Sequence, residues 1–211
     1  MELGGILILF WMGFSIGLSG ALIPGPLLVY TINESLRKGR WTGLVVILGH
    51  TLVEVLVVLL FIYGLLEIID STTIFSTVSI LGGIFLFYTS YELLKEANLG
   101  KPDLELKKKF AYPTVVGGIL FTVLNPSFPL WWVTVGSRML LEGLRQADML
   151  GVWVIVAGHW LADFGWYIAV GFTASNQKET LMEKGWIKTL KKVMAAFLTV
   201  IGVYFLLSGL V

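Results

Sequence analysis

The chain contains two histidines, His50 and His159, and each is followed four residues later by a carboxylate, Glu54 and Asp163. Residues four apart share one face of a helix, so each pair is poised to interact. The surrounding segments, Gly49-His50-Thr51-Leu52-Val53-Glu54 and Gly158-His159-Trp160-Leu161-Ala162-Asp163, match in type (Gly, His, Leu, acid) at four of six positions with one offset of 109. Both lie deep inside long apolar runs, where an ionisable group is costly and marks a function by default. Like charges crowded into a dry site do not both stay ionised, which suits reversible protonation or cation binding. Four such groups would titrate as a set. The alternative is structural, each acid simply held by its own histidine.

Two proline-containing interruptions supply a second pole. Pro24-Gly25-Pro26 breaks the first apolar run, and Asn125-Pro126-Ser127-Phe128-Pro129 breaks the fourth. Proline removes a backbone donor and clashes with the preceding turn, so each helix must open. In a membrane such an opening survives only where protein buries it or a wet cavity lines it. Each resumed half-helix is expected to aim free N–H groups and partial positive charge at the membrane interior. A substrate carboxylate would suit those ends, and an ammonium would suit Glu54 or Asp163. Asn125 is expected to donate to substrate or to cap the break.

The elements that position these groups follow from hydropathy. The 211 residues are 56% hydrophobic and 14% charged, with mean hydropathy +0.85, which excludes an ordinary soluble domain. Cysteine is absent, so disulfides, thiolate metal sites and thiol redox chemistry are excluded. The spans expected are six: about Ile6–Ile32, Trp41–Leu66, Ser71–Tyr91, Ala111–Gly136, Met149–Phe172 and Val193–Val211. The start, Met-Glu-Leu-Gly-Gly, lacks a basic leader region, and the first run is read as a retained helix. Thirteen of the 15 basic residues follow spans one, three and five. The remaining loops hold Arg138 and Arg145 beside Glu67, Asp70, Glu142 and Asp148. The positive-inside rule then places both termini outside. Trp11, Trp41, Trp131, Trp132, Trp153 and Trp186 read as interface anchors near span ends. Glu34, beside Arg37 and Lys38, reads as a surface ion pair or a gate at the cytoplasmic mouth.

The spans correspond in order. The breaks at Pro24 and Pro126 are 102 apart, the His/acid motifs 109 apart, and Ile80–Phe87 resembles Val200–Leu207 at 120. The fold class expected is all-α integral membrane, six transmembrane helices forming two inverted-topology three-helix repeats. Residues 1–94 form the first repeat, 95–110 a cytoplasmic linker, and 111–211 the second. Three spans per half force the second half to enter upside down, a recurring transporter plan with its site near the midplane. Glu54 lies 13 residues beyond Trp41, roughly 20 Å along a helix and close to the bilayer centre.

The Pro24-Gly25-Pro26 turn, the basic segment Ser35-Leu36-Arg37-Lys38-Gly39-Arg40, the glycines Gly39, Gly43 and Gly49, and Leu124-Asn125-Pro126 in span four resemble the LysE family of small amino-acid exporters. The resemblance covers most of the chain. It implies export of an amino acid or similar cation-bearing metabolite, driven by the proton gradient with no cofactor. Pro129 and the two His/acid pairs depart from the commoner pattern, and related families move metal cations.

The reading is a secondary-active, proton-coupled exporter with alternating access in the plasma membrane. Glu54, Asp163, His50 and His159 bind proton or substrate, and Pro24, Gly25, Pro26, Asn125, Pro126 and Pro129 form the helix-break site. The same four His/acid residues could instead carry a divalent metal as cargo. Gly17-Leu18-Ser19-Gly20 matches the Gly-x-Ser-Gly pattern of intramembrane rhomboid proteases, with His159 in a later span. Small residues spaced for helix contact explain that segment more simply, and the expectation is a protein that is not an enzyme. The partners expected are the bilayer and a small molecule, with no nucleic acid. Homo-oligomerisation is left open.

Overall fold

The computed structural model describes residues 2–64, 72–98, 113–183 and 186–210, and among these every regular element is helical. Helix α1 (Leu3–Ala21) stops just before Pro24. Helix α2 (Pro26–Lys38) resumes with proline at its first position, where the missing N–H costs nothing. It carries Arg37 and Lys38 in its last turn and ends on Gly39 at φ 102, a conformation glycine adopts without strain. Helices α3 (Thr42–Ile62) and α4 (Thr72–Asn98) follow. Helix α5 (Thr114–Val123) has only 10 residues, about 15 Å, half a hydrocarbon core. After Asn125-Pro126 the chain re-enters helix as α6 (Ser127–Trp131), passes through a π turn (Trp132–Gly136) and continues as α7 (Ser137–Asn176). Helices α8 (Lys178–Glu183) and α9 (Trp186–Leu210) complete the chain.

Among the described residues, five helical runs are long and apolar enough to cross a membrane: Leu3–Ala21, Thr42–Ile62, Ser76–Lys95, Ser127–Asn176 and Trp186–Leu210. The expected fourth span is the one that differs. Its first arm, α5, is too short to cross, and its second arm runs on into the expected fifth span. Between those two arms α7 turns sharply at Ala147 and Asp148, where Asp148 takes φ 50. Gly143 and Gly151 face each other across the turn, and a Cβ at Gly143 would lie 2.7 Å from the Gly151 carbonyl oxygen. Most of the expected linker 95–110, with Lys101, Lys107, Lys108 and Lys109, lies outside the described residues, as do Glu67, Asp70 and Lys184.

Leucines 48, 52 and 56 are exposed along one face of α3, as lipid-facing residues should be, while Val46, Ile47, Val57 and Val58 are buried on the other. The helices pair as α1 on α7, α3 on α5 and α4 on α9, and α2 packs against α3, α5 and α7. Ser90 strengthens the α4–α9 pair, donating to the Ala195 carbonyl at 2.8 Å.

Backbone contact at glycines governs two of these pairs. A Cβ at Gly13 (α1) would overlap the Ile155 carbonyl (α7), and one at Gly118 (α5) would overlap the Val46 carbonyl (α3). Reciprocally, a Cβ at Gly158 would overlap the Phe10 carbonyl, and one at Gly49 the Val115 carbonyl. Gly13 and Gly118 are 105 apart, as are Phe10 and Val115, while Val46 and Ile155, like Gly49 and Gly158, are 109 apart. The α1–α7 and α3–α5 crossings therefore use the same contacts at constant offsets. At the breaks themselves the turn repeats at 102: Leu22 N–H donates to the Leu18 carbonyl as Leu124 N–H does to Leu120, and Ile23 N–H to Gly20 as Asn125 N–H does to Thr122.

The apolar interior forms two clusters. One includes Val46, Ile47, Phe121 and Tyr167; the other includes Val57, Val58, Trp132, Val152, Ile155 and Val156. Along α3, Glu54 lies between the two, and along α7 so do His159 and Asp163.

Candidate functional site

The duplicated pairs meet at the junction of those two clusters. Glu54 is 1% exposed and His159 and Asp163 are each 3% exposed. His50 Nε2 lies 3.1 Å from Glu54 Oε1 within α3. His159 Nε2, from α7, lies 2.9 Å from the same oxygen and 3.2 Å from Asp163 Oδ2. One carboxylate oxygen is thus shared by histidines from both ends of the chain. The purely structural alternative, each acid held by its own histidine, describes half of this arrangement. The other ring nitrogen of His50, Nδ1, is 2.9 Å from the Thr122 hydroxyl on α5.

Glu54 Oε2 is buried with no hydrogen-bond partner among the described residues, and Asp163 Oδ2, although 3.2 Å from His159 Nε2, is not aligned with it as a hydrogen bond requires. A buried acceptor left unmet costs about 1–3 kcal/mol, more when charged, and native structures rarely leave one without a reason.

The cluster forms a wall of a cavity of about 350 Å³. His50, Glu54, His159 and Asp163 line it together with the first break, Pro24, Gly25 and Pro26, and with Asn125 from the second. Gly25 is extended (φ −148, ψ 179) and opens α2 toward this space. The second break is internally satisfied. Ser127 N–H donates to Asn125 Oδ1 at 3.1 Å, and Phe128 N–H donates to the Asn125 carbonyl at 3.0 Å. Of the two roles expected for Asn125, capping is the one the geometry displays. Pro126 forms the start of α6 and Pro129 is buried within it; they shape the break without lining the cavity.

Aromatic rings complete the wall. Trp131 stacks on His159 with centroids 5.2 Å apart, and Trp132 meets the same ring edge-on at 5.6 Å. Phe128 approaches His50 edge-on at 5.5 Å. Trp131 and Trp132 are therefore not interface anchors. Because α5 ends after only 10 residues, the residues just past the break lie at the depth of the site. The available sequence signal was the aromatic density of Phe128-Pro129-Leu130-Trp131-Trp132. Trp11, Trp41, Trp153 and Trp186 are exposed, as anchors should be. On one side of the cavity Tyr30 stacks on Phe121 at 4.5 Å. Beyond them Glu34, 4% exposed, holds Arg37 at 3.0 Å and Lys38 at 2.5 Å. Lys38 Nζ also donates to Thr114 Oγ1 at 2.9 Å, tying α2 to α5. Glu34 is therefore a buried carboxylate rather than a surface ion pair.

Ser19 does not form a nucleophile. Its hydroxyl donates to the Ile16 carbonyl at 2.7 Å, and it is a Cβ at Gly17 that would lie 2.6 Å from His159 Nδ1.

A curated protein of Bacillus subtilis (strain 168), named "Putative amino acid efflux protein YcgF", is 24% identical over 196 residues, covering 92% of this chain and 93% of that protein. No solved structure matches the chain. The model of the LysE type translocator family matches residues 18–209. That match spans both breaks, both His/acid pairs and every helix but most of α1, so the chain belongs to the LysE type translocator family, a multi-pass membrane transporter rather than an enzyme.

Proposed function

We propose that the protein exports an amino acid, or a similar small metabolite carrying an ammonium group, in exchange for protons. The observation that carries this reading is the pair of buried carboxylates, Glu54 and Asp163, each with an oxygen lacking a donor, at a cavity that also meets the opened backbone at Gly25. A substrate ammonium supplies the missing donors. The free N–H groups at the start of α2 receive its carboxylate. His50 and His159 carry protons to and from the shared Glu54 oxygen. The family and the efflux relative support export as the direction.

The reading includes two inverted repeats, residues 1–94 and 111–211, joined by the linker 95–110, with both termini outside and access alternating around the cluster. Its support is the reciprocal packing, in which Gly13 and Gly158 on one crossing correspond to Gly118 and Gly49 on the other. Basic residues concentrated after alternate spans support the orientation.

A second reading has a specific observation in its favour. Ligand atoms of His50, Glu54 and Asp163 lie within 4.8 Å of one another, a separation small shifts could close around a divalent cation. The amino acid is preferred because Glu54 Oε1 is already engaged by two imidazole nitrogens, and because a bare cation has no use for the opened helix.

Counterflow in proteoliposomes separates the two. Labelled amino acids and divalent metals are offered side by side to the wild type and to Glu54→Gln and Asp163→Asn. Amino-acid exchange lost in both variants supports the ammonium site. Metal exchange alone overturns it and makes the cluster a metal pathway.

A further inference from the structure

We propose that Thr122 is a positioning residue that fixes the tautomer of His50 and so commits one proton to the contact between His50 and Glu54. The inference rests on the exporter reading for its consequence, but its geometry stands alone.

The Thr122 hydroxyl makes two short contacts, 2.7 Å to the Gly118 carbonyl and 2.9 Å to His50 Nδ1. A carbonyl only accepts, and a hydroxyl has one hydrogen. If that hydrogen pointed at Nδ1, two oxygens would face each other at 2.7 Å with nothing between them. The hydroxyl therefore donates to Gly118 and accepts from Nδ1, so His50 carries its hydrogen on Nδ1. Its Nε2, 3.1 Å from Glu54 Oε1, then needs a second hydrogen, or Glu54 must supply one. Either way the cluster holds one proton more than two neutral imidazoles and two carboxylates.

The equivalent position in the other half lacks the lock. Thr122 is 105 positions from Gly17, the offset that relates α1 to α5. A Cβ at Gly17 would lie 2.6 Å from His159 Nδ1 and 3.0 Å from the His159 carbonyl oxygen. A hydroxyl-bearing side chain does not fit there, and His159 Nδ1 has no hydrogen-bond partner among the described residues. His159, stacked on Trp131, is held from one ring nitrogen only, Nε2, which faces the carboxylate oxygens Glu54 Oε1 and Asp163 Oδ2. One histidine is thus held at both ring nitrogens and the other at Nε2 alone. The polar and charged groups around His50 are Glu54 on its own helix, Thr122 on α5, and His159 and Asp163 on α7; α6 contributes the apolar Phe128.

With only two histidines, protein labelled with ¹⁵N-histidine gives two ring-nitrogen patterns, assigned by His159→Gln. The wild-type His50 pattern is expected to show Nδ1 protonated at neutral pH. Thr122→Val keeps the shape and removes the hydroxyl; it should raise the fraction of bare Nδ1 on the order of fivefold, the factor corresponding to one hydrogen bond. Thr122→Ser should restore the wild-type pattern. In proteoliposomes Thr122→Val should shift the pH at half-maximal counterflow, and Thr122→Ser should not. A bare Nδ1 in wild type, which needs no variant to fold, overturns the inference, as does a valine spectrum identical to wild type. A changed spectrum with an unshifted pH profile overturns the positioning role and leaves the exporter reading intact.

Discussion

Gly158→Ala tests the reciprocal packing most sharply. An added Cβ would overlap the Phe10 carbonyl oxygen and lie 2.9 Å from both the Phe10 carbonyl carbon and the Phe14 nitrogen. These are backbone atoms of a neighbouring helix and cannot swing aside as a side-chain tip can. The α1–α7 crossing must open, at about 1–3 kcal/mol for overpacking. Alanine recovers about 0.5–1 kcal/mol of helix propensity, leaving a net loss of up to about 2.5 kcal/mol. Gly165, on the same helix, faces open space, with nothing within 4 Å of where a Cβ would stand. Gly165→Ala therefore keeps the propensity gain and should raise stability slightly. Gly49→Ala, at the equivalent crossing, should lose as much as Gly158→Ala. Thermal unfolding of purified protein in one detergent compares the three. At ~2–4 °C per kcal/mol for a chain of this size, the expected Tm changes have opposite signs. Gly158→Ala as stable as Gly165→Ala would refute the close backbone approach. A loss at Gly158 without one at Gly49 would refute the equivalence of the two crossings.

Three further outcomes follow from the site. Asn125→Ala removes the acceptor for the Ser127 N–H and should cost about 0.5–2 kcal/mol in thermal unfolding, the range for a lost helix cap; an unchanged Tm contradicts the capping role. Trp131→Leu removes the ring stacked on His159 and should raise the counterflow KM about two- to thirteenfold, as expected for ~0.5–1.5 kcal/mol of stacking, while Trp131→Phe keeps most of it; equal values for the two variants contradict it. Glu34→Gln deprives Arg37 and Lys38 of a buried carboxylate and should destabilise by about 1–3 kcal/mol; a surface ion pair would cost almost nothing.

Hydropathy was enough to recognise a chain of membrane-spanning helices, because a spanning helix is apolar on every face, but not that the fourth run is divided between the short α5 and the long run from Ser127. The His/acid pairs were legible because ionisable groups are rare in such runs and here recur at one spacing. The cross-pairing was not legible. The contact of His159 with Glu54 joins residues 105 apart, and nothing local in either segment distinguishes it from the contact of His159 with Asp163. The depth of Trp131 and Trp132 was misjudged for a physical reason. Counting inward from a span end assumes an unbroken rise, and α5 stops after 10 residues. The 105 spacing of the glycine contacts at the helix crossings was hidden because the visible marks in the sequence, the breaks, repeat at 102. The turn at Ala147 and Asp148 carries neither glycine nor proline, the usual marks of a chain reversal.

The central claim is that the two pairs work as one proton and substrate site through the His159–Glu54 contact. A double-mutant cycle on labelled amino-acid counterflow tests it directly, using Glu54→Gln, His159→Gln and the double variant. The account predicts that each single change lowers exchange by about tenfold or more and that the double variant loses no more than the worse single, as groups acting as a unit do. Losses that multiply in the double variant would mean that Glu54 and His159 act independently, and would contradict the shared site.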